Sequence, residues 1–547
     1  MSFTNLTVLI PALKKTVAFQ DDLVKKLAGI SPIQRAINKA IQMGVKKSDI
    51  HLLTDSEEIR LIAERNGVQA YWEPELDWSE MMFSGNISKY LQQTTQNCEY
   101  ILLLSPYAPL LTLDLIDKAK QALIESNKDL LKPVKHVKKH LYDENGQSTF
   151  SALFGNKYEI HTVESKAFVL LRSTLLRANV NQNPAILSWP VEHDLMEIES
   201  YQDWWVCEKL LNRKRIVFRV IGNDKVGMGH IYRSLSLAHE ITDHEILFVS
   251  DSENTVAVNK LAGYDYWLGI YETDSIIENI INLKPDLLIN DILSTTKADV
   301  LPLQQQGIKV INFEDLDEGA RLADLTINEL YDESQFTGGN ILWGHEYFFV
   351  RDEFHDAKPH RFNKRINAIL LTFGGTDQHN LSHKIYHTIR EFCKLRNIQL
   401  NIVTGGGYSG YDQLESEIKD EPLFTLTKAS GVISSIMEKS QVAISSNGRT
   451  VYELAHMNIP AIIISQHKRE ETHSFACKKN GFIPLGLFEK GTTEFEVLSQ
   501  LTKLLDDDGY RHQLFEKMTK YHFNNNKKKV LKSILALLSS QTDGKGH

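Results

Sequence analysis

The sequence predicts an α/β fold in which several parallel sheets are covered by helices. Short apolar segments such as TVLIPA, IHLLTD and YILLLSP alternate with amphipathic segments such as PIQRAINKAIQMG and SEEIRLIAERNG. This alternation is typical of parallel sheets with crossover helices. It starts again near residue 215, and a chain of 547 residues exceeds what one hydrophobic core supports.

Two further series of strand-like segments follow residue 215. The first contains RIVFRVIG, HEILFVSD, DLLIND and KVINFED, and the second contains NAILLTFGG, LNIVTGGG, VAISSNG and AIIISQ. Two such α/β units enclose a cleft at the carboxyl ends of their strands, where open sheets bind ligands. We therefore predict a first domain over 1–212, a lobe over 213–360, a second lobe over 361–540 and a disordered tail over 541–547.

Composition excludes several classes of function. The net charge of −9 gives no basic surface for nucleic acid, and no apolar run approaches the roughly 20 residues of a membrane span. The four cysteines are far apart and form neither a disulfide framework nor a CxxC metal pair. We expect a cytoplasmic protein that binds small molecules, with self-association left open.

The segment GMGHIYRSLSLA at 227–238 is suited to an anionic ligand. Glycines let backbone N–H groups approach an anion closely, and a following helix adds the positive end of its dipole, which suits a phosphate or diphosphate. His230 would then stand beside the ligand as a general base. The alternative is that His230 only caps or packs the helix.

Two segments of the second lobe supply further candidate ligand groups. FGGTDQHNLS at 373–382 and SSNGRT at 445–450 offer glycine-rich turns, and Glu453 follows far enough into a helix to accept hydrogen bonds from ribose hydroxyls. Asp377 and Asn380 either contact sugar or phosphate or cap a helix. The remaining histidines, including His467 and His473, show no metal-ligand spacing such as HExxH and are predicted to lie at the surface.

Together with WGHEYFFVRDEF at 343–354, these segments resemble the nucleotide-sugar hydrolases of pseudaminic acid synthesis, which remove UDP from a 2,4-diacetamido-2,4,6-trideoxy sugar. That family has the two-lobed GT-B scaffold of the MurG-type N-acetylglucosaminyltransferases. The resemblance implies a UDP-sugar substrate, no cofactor and His230 as catalytic base. The substrate- and nucleotide-binding positions that it implies are Gly227, Gly229, Arg233, Tyr347, Gly374, Gly375, Thr376, Asp377, Asn380, Ser446, Gly448, Thr450 and Glu453.

The sequence departs from that family at two places. An R-x-D segment after the first strand is replaced by Arg219, Val220 and Ile221, and an Asn-Gln pair after the last strand is replaced by Arg469 and Glu470. These changes leave the particular sugar open. The same scaffold also supports a glycosyltransferase, in which the base activates a sugar hydroxyl instead of water.

The first domain resembles the CMP-sugar synthetases, cytidylyltransferases that activate nonulosonic acids with CTP on a Rossmann-like nucleotide-diphospho-sugar transferase fold. LIPA at 9–12, LAGISPIQRAI at 27–37, TDSEEI at 54–59 and LLLSPYAPLL at 102–111 stand where that family carries IPAR, GKPLI, TDDEEI and LQPTSPLR. The resemblance implies CTP and a nonulosonic acid as substrates, with Mg²⁺ as the metal.

The active-site segments of this first domain have diverged. The nucleotide loop reads ALKKTV instead of ARGGSK, and its candidate residues are Lys14, Lys15 and Thr16. The two lysines either bind phosphate as point charges or merely solvate a loop. The family's metal-binding carboxylates align with Glu197 and Glu199, which either hold Mg²⁺ or are surface acids. We expect a weak or inactive cytidylyltransferase, with a nucleotide-sensing or assembly role as the alternative.

Overall fold

The computed structural model describes residues 5–14, 19–74, 85–138, 160–177, 184–191, 195–223, 226–428, 431 and 433–539. The chain divides into two compact units, Met1–Arg213 and Lys214–His547. No described helix is both long enough and apolar enough to cross a bilayer. The predicted tail at 541–547 lies outside the described residues.

The first unit is built on an eight-stranded sheet in the order β3-β2-β1-β4-β7-β5-β6, with β8 beside β5. Strands β1 to β4 pair in parallel, whereas β7 runs antiparallel to both β4 and β5. The elements are β1 (Leu6–Pro11), α1 (Pro32–Gln42), β2 (Ile50–Thr54), α2 (Glu57–Asn66), β3 (Gln69–Trp72), α3 (Gly85–Thr94), β4 (Tyr100–Leu104), α4 (Leu113–Glu125), β5 (Leu130–Lys138), β6 (Ile160–Glu164), β7 (Phe168–Arg172), α5 (Thr174–Arg177), β8 (Ile186–Pro190) and α6 (Tyr201–Leu211).

Local sequence signals explain where helices of this unit begin. The Ser31 hydroxyl accepts the N–H of Gln34 at the start of α1, and Pro32 occupies the first helical position, where no N–H is needed. Thr112 caps α4 in the same way. Strands β1, β2 and β4 are almost fully buried because helices cover both faces of the central, parallel part of the sheet.

The first lobe of the second unit is a seven-stranded, wholly parallel sheet in the order β11-β10-β9-β12-β13-β14-β15. Its elements are β9 (Arg215–Val220), α7 (Gly229–Ala238), β10 (Glu245–Asp251), α8 (Thr255–Leu261), β11 (Trp267–Tyr271), α9 (Ile276–Asn282), β12 (Leu287–Asp291), α10 (Lys297–Gln305), β13 (Lys309–Phe313), α11 (Glu318–Leu322), β14 (Leu325–Asn328) and β15 (Ile341–Trp343).

The second lobe is a six-stranded parallel sheet in the order β18-β17-β16-β19-β20-β21. Its elements are β16 (Ala368–Thr372), α12 (Leu381–Leu395), β17 (Gln399–Thr404), α13 (Tyr411–Ile418), β18 (Phe424–Lys428), α14 (Ile433–Met437), β19 (Val442–Ser446), α15 (Thr450–His456), β20 (Ala461–Ser465), α16 (Lys468–Glu471), β21 (Phe482–Leu487), α17 (Thr492–Asp506) and α18 (Asp508–Met518), followed by α19 (Asn526–Ser539).

The two lobes of the second unit are joined by shared apolar packing. Phe348 of the first lobe stacks on Tyr452 of the second, with ring centroids 4.1 Å apart. After the second lobe is complete, α19 returns to the first lobe, where Val530, Ile534 and Leu538 are buried in its core. The predicted α/β class is confirmed: a Rossmann-like first unit precedes two lobes with parallel sheets, the arrangement of a GT-B pair.

Candidate active site

A cavity of about 310 Å³ lies between the two lobes of the second unit. Turns that follow the carboxyl ends of parallel strands in both lobes form its walls, as expected for open α/β sheets. The cavity lining includes these residues predicted from the sequence: Gly227, Gly229, His230, Arg233, Gly374, Gly375, Thr376, Ser446, Gly448, Thr450 and Glu453.

Glycine turns from the two lobes approach one another closely at this cavity. A Cβ added to Gly375 would lie 3.3 Å from the Cα of Gly227, which itself has a left-handed φ of +74°. A Cβ on Gly405 would lie 2.0 Å from the carbonyl oxygen of Gly375. Side chains at Gly375 or Gly405 would therefore separate the turns, which explains why the sequence uses glycine there.

The start of α7 offers backbone donors to the cavity. Met228 precedes this helix and supplies no side-chain cap, while Gly229 and His230 line the cavity. The first N–H groups of a helix have no intrahelical acceptor and lie at its positive end. The geometry therefore suits an anionic group, such as a diphosphate, at this helix start.

His230 forms a buried pair with Asp291 at the carboxyl end of β12. The Nδ1 atom of His230 lies 2.6 Å from Oδ1 of Asp291. Burial alone would raise the pKa of Asp291, but the charge of Arg233 and the hydrogen bonds from Arg233 and His230 outweigh burial and hold that pKa below its ordinary value. An ionised Asp291 can accept a hydrogen bond from Nδ1–H of His230, and in that tautomer Nε2 is the ring nitrogen left as a proton acceptor.

Arg233 holds Asp291 in place from within a cluster of buried charges. Its guanidinium is fully buried and donates to Asp291 at 2.8 Å, to Glu314 at 3.1 Å and to Glu329. Desolvation alone would lower the pKa of Arg233, but the carboxylates raise it well above its ordinary value. Arg449 also donates to Glu329. A terminal nitrogen of Arg233 also lies 3.2 Å from Nδ1 of His230, so Arg233 positions His230 both directly and through Asp291.

We expect Arg233→Met to lower the free energy of unfolding by about 3–5 kcal/mol, because it leaves buried carboxylates without their main counter-charge. Urea denaturation measures this loss. Arg396→Met is the matched control, because Arg396 pairs with Asp506 at an exposed position and should cost at most about 1 kcal/mol. Equal losses in the two variants would contradict the stabilising role of the cluster.

Glu453 points into the cavity from α15. Its carboxylate is almost fully buried and accepts two hydrogen bonds from Arg351, at 2.8 Å from Nε and 3.2 Å from a terminal nitrogen. Glu353 also contacts Arg351, at 3.0 Å, but lies outside the cavity lining. The arrangement fixes the orientation of Glu453 and leaves lone pairs for a ligand hydroxyl.

Three of the predicted binding residues have structural contacts and lie outside the cavity lining, so their contact with a ligand stays a prediction. The Asp377 carboxylate accepts the N–H groups of Leu381 and Ser382, both at 2.7 Å, and so caps α12. Asn380 accepts a hydrogen bond from the Tyr408 hydroxyl. Tyr347 is the third of these residues. Its side chain packs against the first-lobe core, and Nζ of Lys529 lies 4.2 Å from its ring centroid.

Sequence reasoning placed His473 at the surface, and that prediction is wrong. His473 is buried and lines the cavity, with Nδ1 2.7 Å from the carbonyl oxygen of Asn447. Its Nε2 atom is buried without a hydrogen-bond partner in the described part of the chain. His467 is exposed as expected, although it also lines the cavity. Arg469 and Glu470, which replace the Asn-Gln pair of the hydrolase pattern, line it as well.

Asp291, Glu314 and Glu329 were not identified as site residues from the sequence. Asp291 could have been predicted as a site residue, because the strand-like segment DLLIND ends with its carboxylate. Groups that contact ligands lie at the carboxyl ends of such strands. Glu314 follows KVINF at the end of β13 and could have been predicted for the same reason. Strand adjacency, which the sequence does not state, brings Asp291 to His230 and brings Glu314 and Glu329 to Arg233.

In the first unit, Lys14 is already engaged with acidic side chains. Its ammonium lies 2.6 Å from Glu58 and 3.5 Å from Asp21, and its backbone N–H donates to Asp55 at 2.7 Å. The hydrogen bond to Glu58 raises the pKa of Lys14 despite partial burial. Lys15 and Thr16 lie outside the described residues, so their predicted contact with phosphate stays a prediction.

The two predicted metal carboxylates of the first unit differ in their surroundings. Glu197 accepts the Ser165 hydroxyl at 2.6 Å and the Lys166 N–H at 3.0 Å. Glu199 is exposed, 3.7 Å from the Lys166 ammonium. Among the described residues, neither joins a third potential ligand in a metal-binding group. Glu197 therefore fixes the turn at 165–167, and Mg²⁺ binding stays a prediction.

No family model matches this chain. An uncharacterised protein of Methanocaldococcus jannaschii is 26% identical over 317 residues, which is 52% of this chain and 65% of that protein. The spore coat polysaccharide biosynthesis protein SpsG of Bacillus subtilis is 22% identical over 52% of this chain and 87% of its own length. The UDP-2,4-diacetamido-2,4,6-trideoxy-beta-L-altropyranose hydrolase of Campylobacter jejuni is 26% identical over 48% of this chain and 97% of its own.

Solved structures similar to this chain include MurG of Acinetobacter baumannii. That enzyme is 15% identical, with a TM-score of 0.45 over 59% of this chain and 99% of its own. A CMP:2-keto-3-deoxy-manno-octonic acid synthetase in complex with CTP is 10% identical, with a TM-score of 0.30 over 38% of this chain and 98% of its own.

Proposed function

We propose that this chain is a nucleotide-sugar enzyme whose second unit hydrolyses a UDP-sugar in the cavity between the lobes. The observation that carries the proposal is the buried His230–Asp291 pair beside the uncapped start of α7. A base, an anion site and a cleft between two lobes together meet the needs of attack by water at an anomeric carbon.

In the proposed reaction, Nε2 of His230 removes a proton from water as its oxygen attacks the anomeric carbon. The bond between that carbon and the diphosphate oxygen breaks, and UDP leaves with the electron pair. Asp291 stabilises the imidazolium that forms, because its carboxylate already contacts Nδ1. The N–H groups at Gly229 and His230 and the cationic Arg449 can stabilise the departing diphosphate.

The proposed sugar is a 2,4-diacetamido-2,4,6-trideoxy hexose. Support comes from the Campylobacter jejuni hydrolase, whose name states such a sugar as its substrate. Its match with this chain spans 97% of the length of that hydrolase. Release of UDP from such a donor without any acceptor tests the proposal. Release that requires an acceptor sugar would instead indicate a glycosyltransferase.

We expect Glu453→Gln to weaken UDP binding by about 1–3 kcal/mol, the range for a hydrogen bond to a charged group. The reason is that Glu453 is proposed to accept hydrogen bonds from the ribose hydroxyls. Calorimetric titration with UDP measures the change. Glu353→Gln also removes a carboxylate partner of Arg351 but lies outside the cavity, so its UDP affinity should stay close to that of the unmodified protein. Equal affinities in the two variants would reject the ribose contact.

For the first unit, we propose a cytidylyltransferase-like domain with little or no turnover. The Lys14 ammonium is held by Glu58 and Asp21, so phosphate would have to compete with two carboxylates for it. Nucleotidyl transfer depends on positioning and charge stabilisation around the phosphates, which this loop supplies poorly.

We expect the full chain, given CTP, Mg²⁺ and several nonulosonic acids, to release diphosphate at well below the roughly 1 to 10³ per second typical of enzymes. A coupled diphosphate assay measures this rate. CTP binding without turnover would support a sensing or assembly role. Turnover within the ordinary enzymatic range would refute the proposal and show that Lys14 and its neighbours replace the lost groups.

A further inference from the structure

Three metal-ligating side chains converge on helices α12 and α13 of the second lobe. The expectation that the remaining histidines show no metal-ligand spacing is wrong for one pair. His383 and His387 are one helical turn apart on α12, the spacing of the two histidines in HExxH, and therefore share a face. Glu417 reaches them from α13. Nε2 of His383 lies 2.9 Å from one carboxylate oxygen of Glu417, and Nε2 of His387 lies 2.8 Å from the other. Among the described residues, this is the one place where three such ligands lie within 4.8 Å of one another.

The spacing of these atoms is close to that of a tetrahedral metal site. Bonds of about 2.0–2.2 Å to nitrogen and oxygen place tetrahedral ligands roughly 3.3–3.6 Å apart. The two Nε2 atoms are 3.2 Å apart, and their distances to the carboxylate oxygens are slightly shorter. An outward movement of a few tenths of an ångström, which these partly exposed side chains can make, would admit an ion.

The donor set also has the right charge and chemistry for one class of ion. Two neutral imidazoles and one carboxylate carry a single negative charge, which favours a divalent cation. Imidazole nitrogen suits Zn²⁺ and its neighbours among the transition metals, whereas Mg²⁺ and Ca²⁺ prefer sites built of oxygen atoms.

Gln413 can complete the coordination. It lies one turn before Glu417 on α13, with its side-chain amide nitrogen 3.2 Å from Nε2 of His383 and 3.2 Å from the Glu417 carboxylate. Rotation of the Gln413 amide by 180° exchanges its nitrogen and oxygen, and the oxygen then points between His383 and Glu417, where the ion would lie. A water molecule would serve equally well as the fourth ligand.

We propose that His383, His387 and Glu417 bind one divalent transition metal ion of the Zn²⁺ class, which clamps α12 to α13. The placement gives the clamp a structural role in the second lobe. The cavity-lining turn Gly374–Thr376 precedes α12, and the cavity-lining Gly405 and Gly406 precede α13. The proposal is independent of the reaction assigned to the cavity.

The test uses the full chain after removal of metal with a chelator. Calorimetric titration with Zn²⁺ should show one tight site per chain, and Co²⁺ should give the visible absorption of a tetrahedral ion with nitrogen ligands. Zn²⁺ should also raise the unfolding temperature, since an ion that binds only the folded chain stabilises it. His387→Gln and Glu417→Gln should each weaken Zn²⁺ binding by at least about 100-fold. Loss of a residue that only hydrogen-bonds to a metal ligand already weakens binding by up to about 100-fold, and these two residues are the proposed ligands themselves.

His512→Gln is the matched control. His512 faces Glu516 one turn away on α18, at 3.6 Å, so this variant also loses one exposed imidazole beside a glutamate but leaves the proposed site intact. It should keep the tight site, the Co²⁺ spectrum and the rise in unfolding temperature. Absence of tight binding to the unmodified chain would overturn the proposal. Equal affinity in the unmodified chain and His387→Gln would overturn it as well, because the ion would then be bound elsewhere among the 20 histidines.

Discussion

We expect His230→Ala to lower the turnover of UDP-sugar by roughly two to four orders of magnitude while leaving UDP affinity nearly unchanged. The reason is that Nε2 of His230 is the proposed proton acceptor, whereas backbone N–H groups and Glu453 are the proposed contacts of the nucleotide. Steady-state release of UDP measures the first quantity, and calorimetry measures the second.

A histidine just after the end of the same helix provides the control for this result. His239 follows the last turn of α7 and contacts Tyr264 and Tyr266, away from the cavity lining. His239→Ala should therefore retain turnover. Retained turnover in His230→Ala would remove the assignment of His230 as the base, and a parallel loss of UDP affinity would assign it to nucleotide binding instead.

The second large effect is expected for Asp291→Asn, which should lower turnover by about 10² to 10⁴ while the histidine is still present. Its neighbours His230, Arg233 and Ser234 all direct hydrogen-bond donors at the carboxylate. An amide nitrogen therefore meets a donor on either side. If the amide nitrogen of the substituted side chain faces His230, its N–H donates to Nδ1 and stabilises the tautomer with the proton on Nε2. In that tautomer Nε2 cannot act as a base.

Asp291→Asn also removes a negative charge beside Arg233, and this loss of charge could lower activity without any change in the His230 tautomer. Glu329→Gln separates the effect of the charge from the effect of the tautomer. Glu329 is a second buried carboxylate partner of Arg233, but it makes no hydrogen bond to His230 among the described contacts. Glu329→Gln should thus reduce the free energy of unfolding without the same loss of turnover. Similar turnover in Asp291→Asn and Glu329→Gln would indicate that the charged cluster, not the tautomer of His230, determines activity.

The sequence determined the α/β class and the location of the glycine turns. The periodicity of strands and helices is a local property that can be read from neighbouring residues. The freedom of Gly227 to adopt a left-handed φ is local as well, because it follows from the residue type alone. The same holds for the helix start at Gly229, because local signals alone place His230 at the mouth of a helix. Asp377 was recognised as either a ligand contact or a cap, and the structure shows the cap.

Only the tertiary structure decided which side chains meet. His230 pairs with Asp291 because β12 lies next to β9 in the sheet, and His383 meets Glu417 because α12 and α13 are neighbours in the second lobe. The return of α19 to the first lobe is set in the same way, by the fit of its apolar face to that core. Burial and ion pairing depend on the order of strands, and that order follows from the free energy of the whole packed unit, not from any local stretch of sequence.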